Sequence, residues 1–268
     1  MYEMPWVRVH AMTEYVDSPG ILERYPGTKI TYNIVPSFME QLLDYHRSET
    51  LDVHTDIAKR PWPEGDYPNA TERELHVMQF QSFWNSGWIY NVSAEDPNAW
   101  VQPSSEMYSY LHDKTLHNLK PATIMDDELL PPQEFLDLQV LWYLYQFSPD
   151  SVLGNYDASE RDEGLISLFQ QNGNFTHADL MYVIDAQHEH MGNVLPMYSN
   201  LAAAGQVELT TTPYYHPIMP LLMMPGWEME DGIRVSKQAW PEDVQNHLTT
   251  GMDLFETETV SYTHLRAH

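Results

Sequence analysis

Apolar positions along this chain change period several times, and each change marks an element. Lys29 to Val35 alternates, with Ile30, Tyr32 and Ile34 on one side and Gly27 and Pro36 at its bounds. Period two between turn residues predicts a strand. Pro36-Ser37 opens a helix through Phe38, Met39, Leu42 and Leu43, because proline is preorganised for a first helical turn. Residues 48 to 70 are polar and carry Pro61, Pro63 and Pro68, the composition of an exposed loop. Thr71 and Glu74 have capping-box spacing ahead of a helix through Leu75, Met78, Phe80 and Phe83, and a short helix is expected near Ser105 to His112.

The densest helical pattern is Gln133 to Phe147. Phe135, Leu136, Leu138, Val140, Leu141, Trp142, Leu144 and Phe147 surround nearly the whole cylinder, which predicts burial on most sides. Ser148-Pro149 stops it. Thr176-His177-Ala178-Asp179 starts another helical stretch, expected to reach Ala204 with a break before Pro196. Gly205 suits the position after that helix, where a positive φ costs glycine little. Val207, Leu209 and the β-branched Thr210 to Thr212 predict a second strand, ended by Pro213 and Pro217. Pro241, followed by Glu242 and Asp243, begins the last helix. Strand, long helical insertion, strand is the order of a parallel α/β architecture.

Composition narrows the function classes. Hydrophobic residues make up 43% of the 268 and aromatics 12%, which is globular rather than disordered. Acidic residues outnumber basic ones 39 to 13, for a formal net charge of −26. Phosphate backbones and anionic lipid surfaces repel such a chain, whereas a neutral polyhydroxyl ligand is indifferent to it. The absence of cysteine excludes disulfides, thiolate catalysis and Cys-based metal sites. No apolar run reaches the ~20 residues that span a bilayer. His188-Glu189-His190 lacks metalloprotease spacing and is expected at the surface, and Asp126-Asp127-Glu128 reads as a solvated loop. No glycine-rich phosphate loop, Gly-x-Ser-x-Gly elbow or dinucleotide fingerprint occurs, and no cofactor is expected.

Candidate chemistry gathers at the exit of the second strand. Glu208 and His216 flank the predicted strand end, with Tyr214 and Tyr215 between them. Barrel enzymes place function where strands end. Taken alone, Glu208 reads first as a surface strand-end carboxylate and His216 as a hydrogen-bonded loop histidine; it is the motif around them that favours binding roles. Asn33, near the end of the first strand, either faces the same cleft or serves the turn before Val35-Pro36.

The segment Gly205-Gln206-Val207-Glu208-Leu209-Thr210-Thr211-Thr212-Pro213-Tyr214-Tyr215-His216-Pro217-Ile218-Met219-Pro220-Leu221-Leu222 resembles the second sequence signature of glycoside hydrolase family 57. The likeness is residue by residue at Gly205, Gln206, Glu208, Pro213, His216, Pro217 and Pro220-Leu221-Leu222. Met4 to Ala11, Tyr25-Pro26-Gly27 and Thr31 to Ser37 look like that family's early barrel segment, and Phe135 to Val140 is a looser match. The resemblance implies a helix-rich α/β fold, a fragment of a (β/α)7 barrel holding about two parallel strands. It implies a retaining enzyme acting on α-1,4-glucans or maltooligosaccharides, α-amylase-like, with a 4-α-glucanotransferase, a branching enzyme or a non-catalytic carbohydrate-binding protein as alternatives. Glu208, His216, Asn33 and Tyr215 are then expected to bind substrate, and Arg8, His10 and Trp6 to line the cleft wall, where packing is the competing role for Trp6. The family's His-Gln-Pro and Trp-Pro-x-Glu segments are expected outside this stretch. Residues 1–255 are therefore expected to be a partial catalytic domain, inactive alone and cytoplasmic. Residues 256–268 change character, with Arg266 and two histidines, and are expected to be a non-native or disordered tail.

Overall fold

The computed structural model describes residues 1–47, 50–60, 91–92, 100–101, 131–156, 161–171, 173–223 and 239–259. The helices in chain order are α1 (Trp6–Met12), α2 (Glu14–Glu23), α3 (Pro36–Arg47), α4 (Val53–Lys59), α5 (Pro132–Leu144), α6 (Pro149–Val152), α7 (Glu163–Gln171), α8 (His177–Ala203), α9 (Met219–Met223) and α10 (Pro241–Thr259). The strands are β1 (Ile30–Ile34), β2 (Asn91–Val92), β3 (Trp100–Val101) and β4 (Val207–Thr211). The chain divides into two units, Met1–Ile21 with Tyr45–Met191, and Leu22–Asp44 with Gly192–His268. Among the described residues no helix is long and apolar enough to cross a membrane.

The first unit is built round α5, in which every residue from Phe135 to Leu144 is buried. The all-round apolar pattern thus has the consequence expected of it, each large side chain contributing about 1.5–3 kcal/mol on burial. Asp137 is enclosed with them because its carboxylate takes the backbone N–H of Asn174 at 3.0 Å and of Phe175 at 2.8 Å. Those bonds hold a turn in which Asn174 has φ 54°. The expected loop from 48 to 70 contains α4. Asp52 caps it, accepting from the N–H groups of His54 and Thr55, while Ile57 and Ala58 are buried. Burial of the polar His54 and Thr55 disguised that helix in the sequence. The helices expected from Thr71 and near Ser105 to His112 lie outside the described residues.

Helix α8 opens on a reciprocal box: Thr176 N–H and Oγ1 both donate to Asp179 Oδ2, and Asp179 N–H donates to Thr176 Oγ1. The break expected before Pro196 does not occur. Interior proline costs a helix about 3 kcal/mol, and here Val194, Leu195, Met197, Tyr198 and Leu201 are buried around it, which outweighs one lost bond. His188-Glu189-His190 also departs from expectation. Only Glu189 is exposed; His188 is half-buried and His190 buried. The His190 ring meets Phe147 edge-on at 5.3 Å, and its Nε2 lies 2.6 Å from Ser151 Oγ.

In the second unit β1 and β4 pair in parallel, Ile30 opposite Val207 through Ile34 opposite Thr211. This is the strand pairing that the sequence predicted. Leu22, Leu201 and Val207 form a core patch with Tyr32 and Leu209 packed on it. The ring of Tyr32 stands edge-on to Tyr198 at 4.9 Å. The tail expected from 256 is helical as far as Thr259, which is buried. Ser199 Oγ donates to the Thr259 carbonyl at 3.1 Å, tying that last turn into the unit. Tyr262 and Leu265 lie outside the described residues.

Burial pushes His190 down to about 4, with Asp162 opposing, and pushes His188 to about 4 with help from Lys59 and Arg8. The unfolded chain protonates these rings near pH 6.5 while the folded one keeps them neutral. Stability should therefore be full above pH 6.5 and fall as pH drops toward 4. His190 alone accounts for a loss on the order of 3 kcal/mol. Urea unfolding of His190→Gln should show a flatter pH dependence across that window; an unchanged slope would assign the loss to other groups.

Candidate functional site

The site begins where α8 ends. Gly205, at φ 69°, turns the chain out of the helix, and the Gly205 and Gln206 N–H groups bond back to the carbonyls of Ala202 and Leu201. The buried Gln206 amide donates to the carbonyls of Leu22 at 2.7 Å and Tyr25 at 3.0 Å. Lys29 Nζ donates to the Gly205 carbonyl at 2.7 Å. Gly205 and Gln206 of the motif thus serve as the clamp that sets the start of β4 against β1.

That register sorts the side chains. Alternation puts Tyr32, Ile34, Val207 and Leu209 toward the core, and Thr31, Asn33, Glu208 and Thr210 on the opposite face. On this polar face Thr31 Oγ1 donates to Glu208 Oε2 at 3.2 Å, and Asn33 Nδ2 donates to Thr210 Oγ1 at 3.2 Å. Glu208 and Asn33 are both exposed. A carboxylate with a second oxygen and further lone pairs suits adjacent hydroxyl donors, and the Asn33 amide oxygen can accept another. The face can therefore grip a polyol.

At the end of β4 the Thr211 hydroxyl donates to the Ile34 carbonyl at 2.8 Å, and beyond it Ser37 N–H donates to the Tyr214 carbonyl at 3.2 Å. Tyr214 is buried. Burial, then its bond to the Glu40 carboxylate, pushes the phenol well up, so it stays a neutral donor. Tyr215 next to it is 65% exposed. His216 adopts φ 50°, with its N–H on the Pro213 carbonyl at 2.7 Å. The left-handed region costs an L-residue about 1–2 kcal/mol, and such strain concentrates at functional positions. Asn33 is the fourth residue of β1, opposite Thr210, and His216 comes five residues after the end of β4. One neighbour escaped the sequence reading: His247 of α10, whose carbonyl accepts from Tyr214 N–H at 3.0 Å. Nothing in its helical surroundings marks it.

The other expected residues, Trp6, Arg8 and His10, belong to the first unit, on α1. Trp6 is 45% exposed and so does not pack fully against a following helix. His10 Nδ1 lies 3.1 Å from Glu14 Oε2. Although burial opposes it, the bonds from His10 and Thr13 hold the Glu14 carboxyl below its usual range. Arg8, expected on a cleft wall, is instead wholly buried. Its Nε donates to Asp52 Oδ2 at 2.8 Å, and Nη1 donates to the side-chain oxygens of Gln146 at 2.8 Å and Gln187 at 2.7 Å. The guanidinium also lies 5.0 Å from the Tyr143 ring centroid. Burial alone would disfavour both charges, but each holds the other: Arg8 stays protonated and Asp52 is kept below the usual carboxylate range. Among the described residues no group of three or more His, Cys, Asp or Glu is arranged to hold a metal.

These placements separate support from recognition. Arg8→Ala strands the buried Asp52 carboxylate and should cost about 3–5 kcal/mol in urea unfolding. Glu208→Gln, at an exposed site, should stay within about 0.5 kcal/mol of the parent. A large loss for Glu208→Gln would make that carboxylate a structural group.

A family model described as Glycosyl hydrolase family 57 matches residues 1–262, and so runs through part of the tail that the sequence set apart. Comparison with curated proteins and with solved structures gives no match. Matched over nearly its whole length, the chain belongs to glycosyl hydrolase family 57.

Proposed function

We propose that this chain supplies the substrate-orienting part of a retaining, α-amylase-like hydrolase of α-1,4-glucans, with the β1–β4 pair forming part of a (β/α)7 barrel. Family membership carries the coarser half of this reading: glycoside-hydrolase-type activity on a carbohydrate. The observation that favours the finer half is the shared polar face of the parallel pair. Glu208 and Asn33 stand exposed on it, and the Tyr215-His216 turn follows at its carboxyl end. In this reading Glu208 accepts from sugar hydroxyls, Asn33 and His216 complete the grip, and Tyr215 offers a ring to the pyranose.

Retaining hydrolysis needs two carboxylates about 5–5.5 Å apart, one as nucleophile and one as acid/base. The motifs shared with the family assign neither role to a residue of this chain, and Glu208 is proposed only to bind. Binding energy of this kind aids catalysis when it strengthens toward the transition state.

Residues 1–268 alone should release no maltose from maltoheptaose. A longer protein that also carries the family's Trp-Pro-x-Glu segment should release it. Glu208→Gln or His216→Ala in that protein should lower kcat/KM about tenfold each, the effect of one hydrogen bond worth ~1.4 kcal/mol in the transition state. Chromatography of the products decides the subclass, since lengthened glucans would indicate transfer rather than hydrolysis. Robust turnover by residues 1–268 would show that the catalytic pair had been misplaced.

A further inference from the structure

Helix α10 comes unusually close to the turn after β4. At Gly251 a Cβ would lie 3.1 Å from the Tyr214 nitrogen, 3.2 Å from the Thr212 carbonyl oxygen and 3.3 Å from Pro36 Cγ. Only glycine lets the helix backbone sit there without displacing main chain. His247, four residues before it, shares that helix face. Its carbonyl accepts from Tyr214 N–H at 3.0 Å, and its Nδ1 faces the Tyr215 N–H at 3.4 Å.

An imidazole that accepts at Nδ1 carries its proton on Nε2. With Nδ1 accepting, the ring presents Nε2–H as a donor on the side away from the turn. The Tyr215 ring meets His247 edge-to-face at 5.7 Å and Tyr214 edge-to-face at 4.7 Å. Two edge contacts hold the ring in one orientation while leaving Tyr215 65% exposed. A rigid, exposed phenol ring beside an oriented donor is matched to a ligand with an apolar face and hydroxyl edges, which is a pyranose. A large negative net charge disfavours anionic ligands here.

We propose that Tyr215 and His247 form a sugar subsite, in which the Tyr215 ring stacks on a pyranose and His247 Nε2–H donates to one of its hydroxyls. The proposal rests on the carbohydrate reading above, and it adds His247 as a positioning residue that orients Tyr215 and helps define specificity.

The full chain and its variants can be run through native gels containing soluble starch, with retardation as the readout and thermal unfolding as the check on folding. His247→Asn keeps an acceptor for the Tyr215 N–H but removes the outward donor, and should weaken retardation about tenfold. His247→Gln can return an amide donor to that position and should recover part of the loss. Tyr215→Phe should bind like the parent and Tyr215→Ala at least tenfold more weakly. Long-range ¹⁵N–¹H spectra of the parent should show His247 as the Nε2–H tautomer. Parent-like retardation by folded His247→Asn and Tyr215→Ala, with loss in Glu208→Gln, overturns this subsite and leaves the glucan reading standing. The Nδ1–H tautomer overturns the positioning role. No retardation of the parent in starch or in gels of other neutral polysaccharides overturns both.

Discussion

Parallel pairing of Ile30–Ile34 with Val207–Thr211 is the constraint on which the candidate site depends. Parallel neighbours cannot be joined by a tight turn, and their pairing repays its closure entropy only once the distant segments have met. The chain meets that demand with contacts at the lower end of the pair. The Gln206 amide bridges two carbonyls of the segment before β1, and Lys29 holds the Gly205 carbonyl. A register slip of one residue would exchange the faces, turning Glu208 and Asn33 into the core and Val207 and Leu209 out. Register therefore decides which side chains stand on the polar face.

The first unit meets a different problem, that of charge inside a core. Asp52 is the N-cap of α4, the counterion of Arg8 and an acceptor for Thr55 and Tyr45. A buried ion pair gains little net free energy over an apolar pair, because both ions lose their water. Here the carboxylate is satisfied from several sides, and the guanidinium lies over the rings of Trp142 and Tyr143. What the arrangement secures is the relative placement of α1, α4 and α5, which meet at this ion pair and its hydrogen bonds.

Polar side chains thus serve opposite ends in this protein. Arg8, Asp52, Asp137 and Gln206 are enclosed and support the backbone, whereas Glu208, Asn33 and Tyr215 stand toward solvent. Residue type does not distinguish them. A motif match treats Arg8 and Glu208 alike, and only burial shows that one is enclosed as a strut and the other exposed.

Local pattern alone determined much of this protein: strands β1 and β4 and their direction, the all-round burial of Phe135 to Phe147, the capped start of α8 and the glycine that ends it. Each is local, set by spacing, a cap or a turn residue. The quoted motifs also sufficed to identify the family. What sequence could not decide were outcomes of competition between distant groups. Helix continues through Pro196 because burial on both sides exceeds one lost bond. Val53–Lys59 is a helix because Asp52 caps it and the core accepts His54 and Thr55. His190 is buried because Ser151 and Phe147 meet it from elsewhere in the chain. His247 reaches Tyr215 because Gly251 lets a helix press against a turn. Such contacts join residues far apart in sequence, and which of them form is settled only when each unit packs.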